Sequence, residues 1–316
     1  MHEDIWSIKL EQHAPKFAAQ RLKGLGIAIP VVIATIILNI GLFLDPPDID
    51  ERLYVLPTLI GLGILFGIDR WVARARQKII MPVLAEVTGF DYQQDASGFL
   101  RELPPRLLPK TSMMYAEDEL LGAISGRYVR MAEVNVQKAG RSLRTLFRGV
   151  VLQFQTATPM PAFFIAPKQL TKGFFGGEMN VKGLIEIRAL NRARSETLGV
   201  WLSEQGNRRQ HPALDAVLDI FLDLENNTGA KFRLFSMTSN GKEIHIALRH
   251  GRDLFHAGGL LVGKKGVRKR VASALEDFQV PLQITSAILN AEQVAGQFKD
   301  GTRPRAEVTT HAGVER

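Results

Sequence analysis

The chain has 316 residues, no cysteine, 46% hydrophobic residues and a formal net charge of +8. The missing thiols exclude disulfides, cysteine–zinc sites, iron–sulfur clusters and thiol catalysis. The basic balance calls for an anionic partner, and the apolar runs described next rank lipid ahead of nucleic acid.

Residues 25–44 (LGIAIPVVIATIILNIGLFL) carry no charge, and neither does Val55–Ile68. About 20 apolar residues cross a bilayer. The first run meets that length, and the second does so with Leu53 and Tyr54 before it and Trp71, Val72 and Ala73 after it. Tyr54 and Trp71 stand where amphipathic rings favour the headgroup layer. Gly41, Gly61, Gly63 and Gly67 offer sites of close helix approach. Lys9, Lys16, Arg21 and Lys23 precede the first run, and Arg70, Arg74, Arg76 and Lys78 follow the second. Between the runs stand Asp45, Asp48, Asp50 and Glu51 against Arg52 alone. Positive flanks stay cytoplasmic. The expectation is a two-pass hairpin in the bacterial inner (cytoplasmic) membrane with both termini inside. A cleaved signal peptide fits less well, because the run starts late, lacks a small-residue cleavage pattern and is followed by a second run.

Residues 74–88 read as an amphipathic helix continuing the second span and interrupted near Pro82. Leu103–Lys110, rich in proline, reads as a linker. Strand patterning begins at Tyr115 and continues over Ile124–Val136, with a turn at Lys138-Ala139-Gly140-Arg141. Thr145–Thr156, Ala162–Ala166 and Leu184–Leu190 read as further strands, with Phe174-Phe175-Gly176-Gly177 as a loop. Pro212 opens a helix with an apolar stripe of Leu214, Val217, Leu218, Phe221 and Leu224, ended by Asn226, Asn227 and Gly229. Phe232–Met237 and Glu243–Leu248 flank Asn240-Gly241, a strong hairpin signal. Residues 267–295 have a helical pattern, broken near Pro281.

The expected organisation is an N-terminal arm (1–24), a transmembrane hairpin (25–73, spans about 25–44 and 53–73) and a membrane-proximal helix and linker (74–110). A cytosolic α+β domain of mostly antiparallel strands with a few helices follows (111–295), then a polar tail (296–316) expected to lack fixed structure.

Several blocks resemble a bacterial family catalogued as domain of unknown function 3137. They are Glu117-Asp118-Glu119 before Gly122, the strand around Glu133, and Phe147-Arg148-Gly149-Val150-Val151. Leu214–Leu224, Phe232–Phe235, Ile244–Leu248 and Asp253–Phe255 follow in the same order. The similarity spans roughly residues 70–290. It implies a two-span hairpin followed by a cytosolic α+β domain, and it implies no activity, cofactor or catalytic residue.

Gly258–Lys265 (GGLLVGKK) matches seven positions of a phosphate-binding loop, but the eighth, which should be Ser or Thr, is Lys265. The preceding residues Arg252–His256 make a poor core strand, so nucleotide hydrolysis is not expected. Lys264, Lys265, Arg268, Lys269 and Arg270 place five positive charges in seven positions. Such a cluster suits anionic headgroups or an acidic protein partner, each basic residue contributing about 1 kcal/mol near a membrane surface. Asp215, Asp219 and Asp223 recur every four residues on the polar face of their helix and read as solvated. His245 alternates with Ile244 and Ile246 and reads as lying on the face opposite the apolar one, while His250 and His256 fall in an expected loop. No histidine spacing suits a metal, and no nucleophile elbow is present.

The leading expectation is a membrane-anchored, non-catalytic binding or scaffold module without a cofactor, using Lys264, Lys265, Arg268, Lys269 and Arg270. Its partners would be the bilayer, then anionic headgroups or a protein, with self-association through the hairpin a further expectation. The alternative is an enzyme acting on a membrane-proximal substrate, which a cleft gathering two or more titratable groups would favour.

Overall fold

The computed structural model describes residues 2–44, 55–111, 113–140, 143–156, 160–173, 183–187, 197–203, 212–226, 231–251, 254 and 258–299. The acidic segment Asp45–Arg52 with Leu53 and Tyr54, and Arg141, lie outside the described residues, as do Phe174–Gly177, Asn227, Gly229, Asp253, Phe255, His256 and the tail from residue 300.

Two long helices open the chain, α1 (His2–Leu44) and α2 (Leu56–Thr88). At 1.5 Å per residue they run about 65 and 50 Å, and both are long and apolar enough to cross a membrane. Within the apolar runs Ile33, Ile36, Ile37, Ile40, Leu59, Leu62 and Phe66 face outward, a belt that water would not tolerate at this size. The helices run antiparallel. A Cβ on Gly61 would overlap Thr35, and Thr58 Oγ1 donates to Asn39 Oδ1 at 3.0 Å. Gly41, Gly63 and Gly67 meet no neighbour within 4 Å, so of the four glycines expected to bring the helices together only Gly61 does so here.

The expected arm is no separate element, since α1 is helical from His2. Nor does Pro82 interrupt α2. An internal proline costs roughly 3 kcal/mol. The buried Met81, Val83, Leu84 and Ala85 around it bring apolar burial that offsets this.

Among the described residues nine strands form one antiparallel sheet: β1 (Asp91–Asp95), β2 (Met113–Ile124), β3 (Arg127–Lys138), β4 (Arg144–Gln155), β5 (Phe163–Pro167), β6 (Ile185–Ile187), β7 (Leu198–Leu202), β8 (Phe232–Ser239) and β9 (Glu243–His250). Their spatial order is β1-β2-β3-β4-β9-β8-β5-β7-β6. The helices are α3 (Ser97–Glu102), α4 (Lys168–Gly173), α5 (Pro212–Asn226) and α6 (Lys264–Lys299). The protein is α+β, as its sequence pattern predicts.

Several expectations need correction. Ile124–Val136 is not one strand: Ser125 and Gly126, with φ of 50° and 72°, make the tight turn between β2 and β3. Leu103–Lys110 is not a linker, for Leu107 and Leu108 are buried and Leu107 O accepts a hydrogen bond from Ser236 Oγ. Pro281 does not break the last helix, which continues from Lys264 through Lys299 with Phe278, Ile284 and Ile288 packed around the proline.

One sheet face carries Met131, Leu152, Ile165, Leu234 and Ile246 against the C-terminal half of α2, α5 and α6. The other carries Val134, Val151, Phe235 and Ala247 against Phe99 of α3 and Leu107. With both faces covered, alternation no longer separates core from solvent. His245 does lie on the face opposite Ile244 and Ile246 but is buried there, and His250 belongs to a strand rather than to the expected loop. His250 lies at the end of β9 with its ring 4.7 Å from that of Phe232. His245 is 2% exposed, and neither ring nitrogen has a hydrogen-bond partner. Gly149 answers another crossing, since a Cβ there would overlap the carbonyl of Leu248 on β9.

Burial pushes the His245 pKa below the usual histidine value, with Glu243 opposing and Arg130 adding to the shift. The unfolded chain takes up a proton as pH falls through about 6.5, while the folded chain resists it. Stability linked to His245 is therefore complete above that pH and lost as pH falls. In thermal unfolding of the full chain in detergent, His245→Leu should lose less stability between about pH 7 and pH 5 than wild type. Parallel pH profiles would refute this.

Candidate functional site

The basic cluster begins α6. At about 100° per residue, Lys264, Lys265, Arg268 and Lys269 share an arc of about 140°. Arg270 points elsewhere, against Gly258. The structure thus brings four of the five residues together, and all five are exposed. Val267 and Val271, on the adjoining face, are buried with Leu10, Phe17 and Ile80. Lys264 Nζ lies 2.8 Å from Glu11 Oε2, and this pairing holds the Glu11 carboxyl below its usual pKa. Beside it, Leu10, Phe17, Leu22, Leu25 and Val267 help to line a largely apolar pocket of about 260 Å³ between α1 and α6.

Before the cluster, Gly258–Val262 turns against α2. Arg76, 1% exposed, donates through Nη1 to the carbonyls of Gly258, Gly259 and Val262 at 3.2, 2.7 and 3.0 Å. Asp69 Oδ1 accepts from the Leu260 amide at 2.6 Å. A side chain at position 259 would overlap the Asp69 carboxylate, so glycine is required there. Leu260 packs on Ala28, Ile68 and Val72, where the first apolar run begins and the second ends, while Leu261 is 87% exposed. The likeness to a phosphate loop ends here, because three of its carbonyls and one of its amides are committed to α2.

A second site lies between α2 and the sheet. Arg70, Arg74 and Gln77 of α2 face Tyr115, Glu117, Glu133, Asn135, Gln137 and Arg148 of β2, β3 and β4 across a cleft of about 430 Å³. An adjoining lobe of about 580 Å³ shares Arg74, Gln77 and Glu117. Glu117 and Glu133 stand directly opposite in the β2–β3 register. Arg148 Nε is 3.6 Å from Glu133 Oε1. Arg74 and Glu117 have no side-chain hydrogen bond or ion pair among the described residues, and Asn135 Oδ1 is buried without a partner. The 430 Å³ lobe gathers the titratable side chains of Tyr115, Glu117 and Glu133, and among the described residues no serine, threonine, cysteine, histidine or lysine lines it.

A β-bulge shapes the cleft. The β2–β3 register shifts between Glu117 and Leu120, and Asp118 takes φ of 58°. The shift turns Asp118 toward α2, where it accepts from Gln77 Nε2 at 2.6 Å and Tyr92 Oη at 2.7 Å. Burial, then the bond to Asp118, pushes the Tyr92 pKa up, so its proton stays on the ring oxygen. Glu119 turns to the other face and pairs with Arg130 at 2.8 Å. Bulges of this kind re-aim side chains, often beside functional sites. Sequence reasoning missed the cleft, although the acidic run Glu117–Glu119 before Gly122 marks its floor.

Among the described residues no three histidine, aspartate or glutamate side chains converge as a metal site would require. Asp219 and Asp223 are exposed on α5 and Asp215 half-buried.

No family model and no curated protein matches the chain. The crystal structure of the mycobacterial trehalose monomycolate transport factor A aligns with a TM-score of 0.36 and 13% identity, covering 66% of this chain and 95% of that one. A likeness at that level carries no argument about role.

The clamp makes a direct forecast. Arg76→Met removes the donor from three carbonyls, and Arg76→Met in the full chain should cost about 3 kcal/mol of stability. Limited proteolysis should open first near residues 255–263. A variant as stable and as resistant as wild type would show that Arg76 does not hold the turn.

Proposed function

We propose that this chain is a two-pass protein of the bacterial inner membrane, both termini cytoplasmic, whose α+β domain is a non-catalytic binding module held against the inner leaflet. The resemblance to the domain-3137 family supports the same plan. The observation that carries the reading is the clamp of Asp69 and Arg76 on Gly258–Val262. It fixes Leu260 against the end of the apolar runs and leaves Leu261 exposed at that level. Lys264, Lys265, Arg268 and Lys269 follow within about two turns. An exposed leucine beside a basic arc is the composition of a surface that rests on anionic lipid. Burying the leucine contributes about 1.5–3 kcal/mol and each cation about 1 kcal/mol. The flanking charges support the orientation, although Arg76 serves the clamp rather than the flank.

The arm, the apolar runs and α6 pack on one another, so the contact is best tested in the intact chain. The absence of cysteine makes single labelling straightforward. Leu261→Cys carrying a nitroxide, in vesicles containing anionic lipid, should collide with oxygen more than with a water-soluble nickel chelate. Lys242→Cys, in the exposed β8–β9 turn, should show the reverse. Replacing Lys264, Lys265, Arg268 and Lys269 together by Gln should raise chelate access at position 261. Equal chelate access at 261 and 242 in the parent protein would sink the reading.

A further inference from the structure

We propose that the cleft between α2 and strands β2–β4 binds a headgroup carrying both a phosphate and a primary ammonium, the chemistry of phosphoethanolamine, presented by a lipid of the adjoining leaflet. The inference rests on the membrane placement proposed above and adds a ligand to it.

The two walls of the cleft lack opposite things. Arg70 and Arg74 project from α2 as pure donors with fixed positive charge. Among the described residues neither Arg74 nor Arg70 has a side-chain hydrogen bond or ion pair, and the Arg70 guanidinium lies 5.7 Å from the Phe66 ring centre. A phosphate supplies what these two need, acceptor oxygens and negative charge. The sheet wall needs the opposite. Among the described residues the Glu117 carboxylate has no hydrogen bond or ion pair, and it stands opposite Glu133 in the β2–β3 register. A purely anionic ligand would satisfy the arginines and be repelled by Glu117, whereas Glu133 already faces Arg148 at 3.6 Å. A quaternary ammonium would balance the charge but bring no N–H to the carboxylate oxygens of the sheet wall. A primary ammonium supplies three donors and the charge together.

Position selects the source. Asp69 and Arg70 are the first charged residues after the uncharged run Val55–Ile68. Arg74 lies one helical turn further, about 6 Å along the axis. The arginines therefore stand at the depth of headgroup phosphates, with the carboxylates beyond them on the sheet. A volume of about 430 Å³ is within the range of ligand pockets. The bulge supports a built site, because Asp118 holds a strained left-handed backbone while bonding Gln77 in the cleft wall.

The test uses the delipidated full chain in detergent, titrated with phosphatidylethanolamine, phosphatidylcholine or phosphatidylglycerol and read by native mass spectrometry. The expected result is retention of phosphatidylethanolamine at least tenfold above the other two. Arg74→Gln and Glu117→Gln should each reduce that retention about tenfold. Both residues are exposed, so thermal midpoints should not move. Equal retention of the three lipids, or retention unchanged in both variants, would overturn the proposal. Soluble glycerophosphoethanolamine binding as tightly as the lipid would overturn the lipid assignment and give the site to a free phosphoamine. Lipid discrimination together with a chelate-accessible label at position 261 would support the cleft and overturn only the loop contact.

Discussion

A buried guanidinium is costly unless its donors find acceptors, and although its Nε is buried without a partner, Arg76 Nη1 finds three in a turn that begins 182 residues further along the chain. Much of the molecule depends on that meeting. The turn 258–262 delivers the start of α6, whose Val267 and Val271 cover Leu10 and Phe17 of α1. The N-terminal part of α1 is thereby packed into the protein rather than left free in solution. Asp69, one charge on the same face of α2, holds the turn from its other side through the Leu260 amide. The apolar hairpin and the sheet are thus joined by a helix that enters both, braced by two opposite charges.

The cleft arises from a matched change of character along two distant stripes. On α2 the sheet-facing positions read Arg70, Arg74, Gln77, then Met81 and Leu84, spaced three and four residues apart as one helix face requires. On β3 the positions facing α2 read Gln137, Asn135, Glu133, then Met131 and Val129, alternating as a strand requires. Polar meets polar at one end and apolar meets apolar at the other. Close packing closes the apolar end. At the polar end, long charged side chains hold the layers apart, and Asp118 with Gln77 sets the spacing.

What the sequence discloses follows from how local each signal is. The hairpin at Asn240-Gly241 and the stripe of α5 rest on neighbours within a few residues, and both stand in the structure as read. The apolar runs are equally local. β1 escapes notice because Asp91–Asp95 is almost wholly polar, a short edge strand with little to bury. The burial of His245 escapes notice because alternation reports two environments, and a central strand covered on both faces has only one. Pro82 and Pro281 mislead because their local cost is outweighed by packing from residues elsewhere in the chain. The basic cluster is visible as a count, but its division into an arc of four and a divergent Arg270 needs the helix register. The cleft needs two stripes more than 50 residues apart to be known as facing each other, and neither reveals this alone.

The same stretch of α2 carries both candidate surfaces, and its register fixes their relation. Asp69 and Arg76 lie on one face, seven residues apart, and bind the turn that bears Leu261. Arg70, Arg74 and Gln77 lie about 80–140° around the helix from Asp69 and line the cleft. Both surfaces therefore share one height along the helix, immediately beyond the uncharged run. Neither can move toward or away from a membrane without carrying the other, since α2 is unbroken from Leu56 through Thr88. A shift of the helix along its axis by one turn, about 5.4 Å, would lift Leu261 and the cleft arginines together. The depth at which Asp69 and Arg70 interrupt the apolar run thus determines at once what the loop touches and what the cleft can reach.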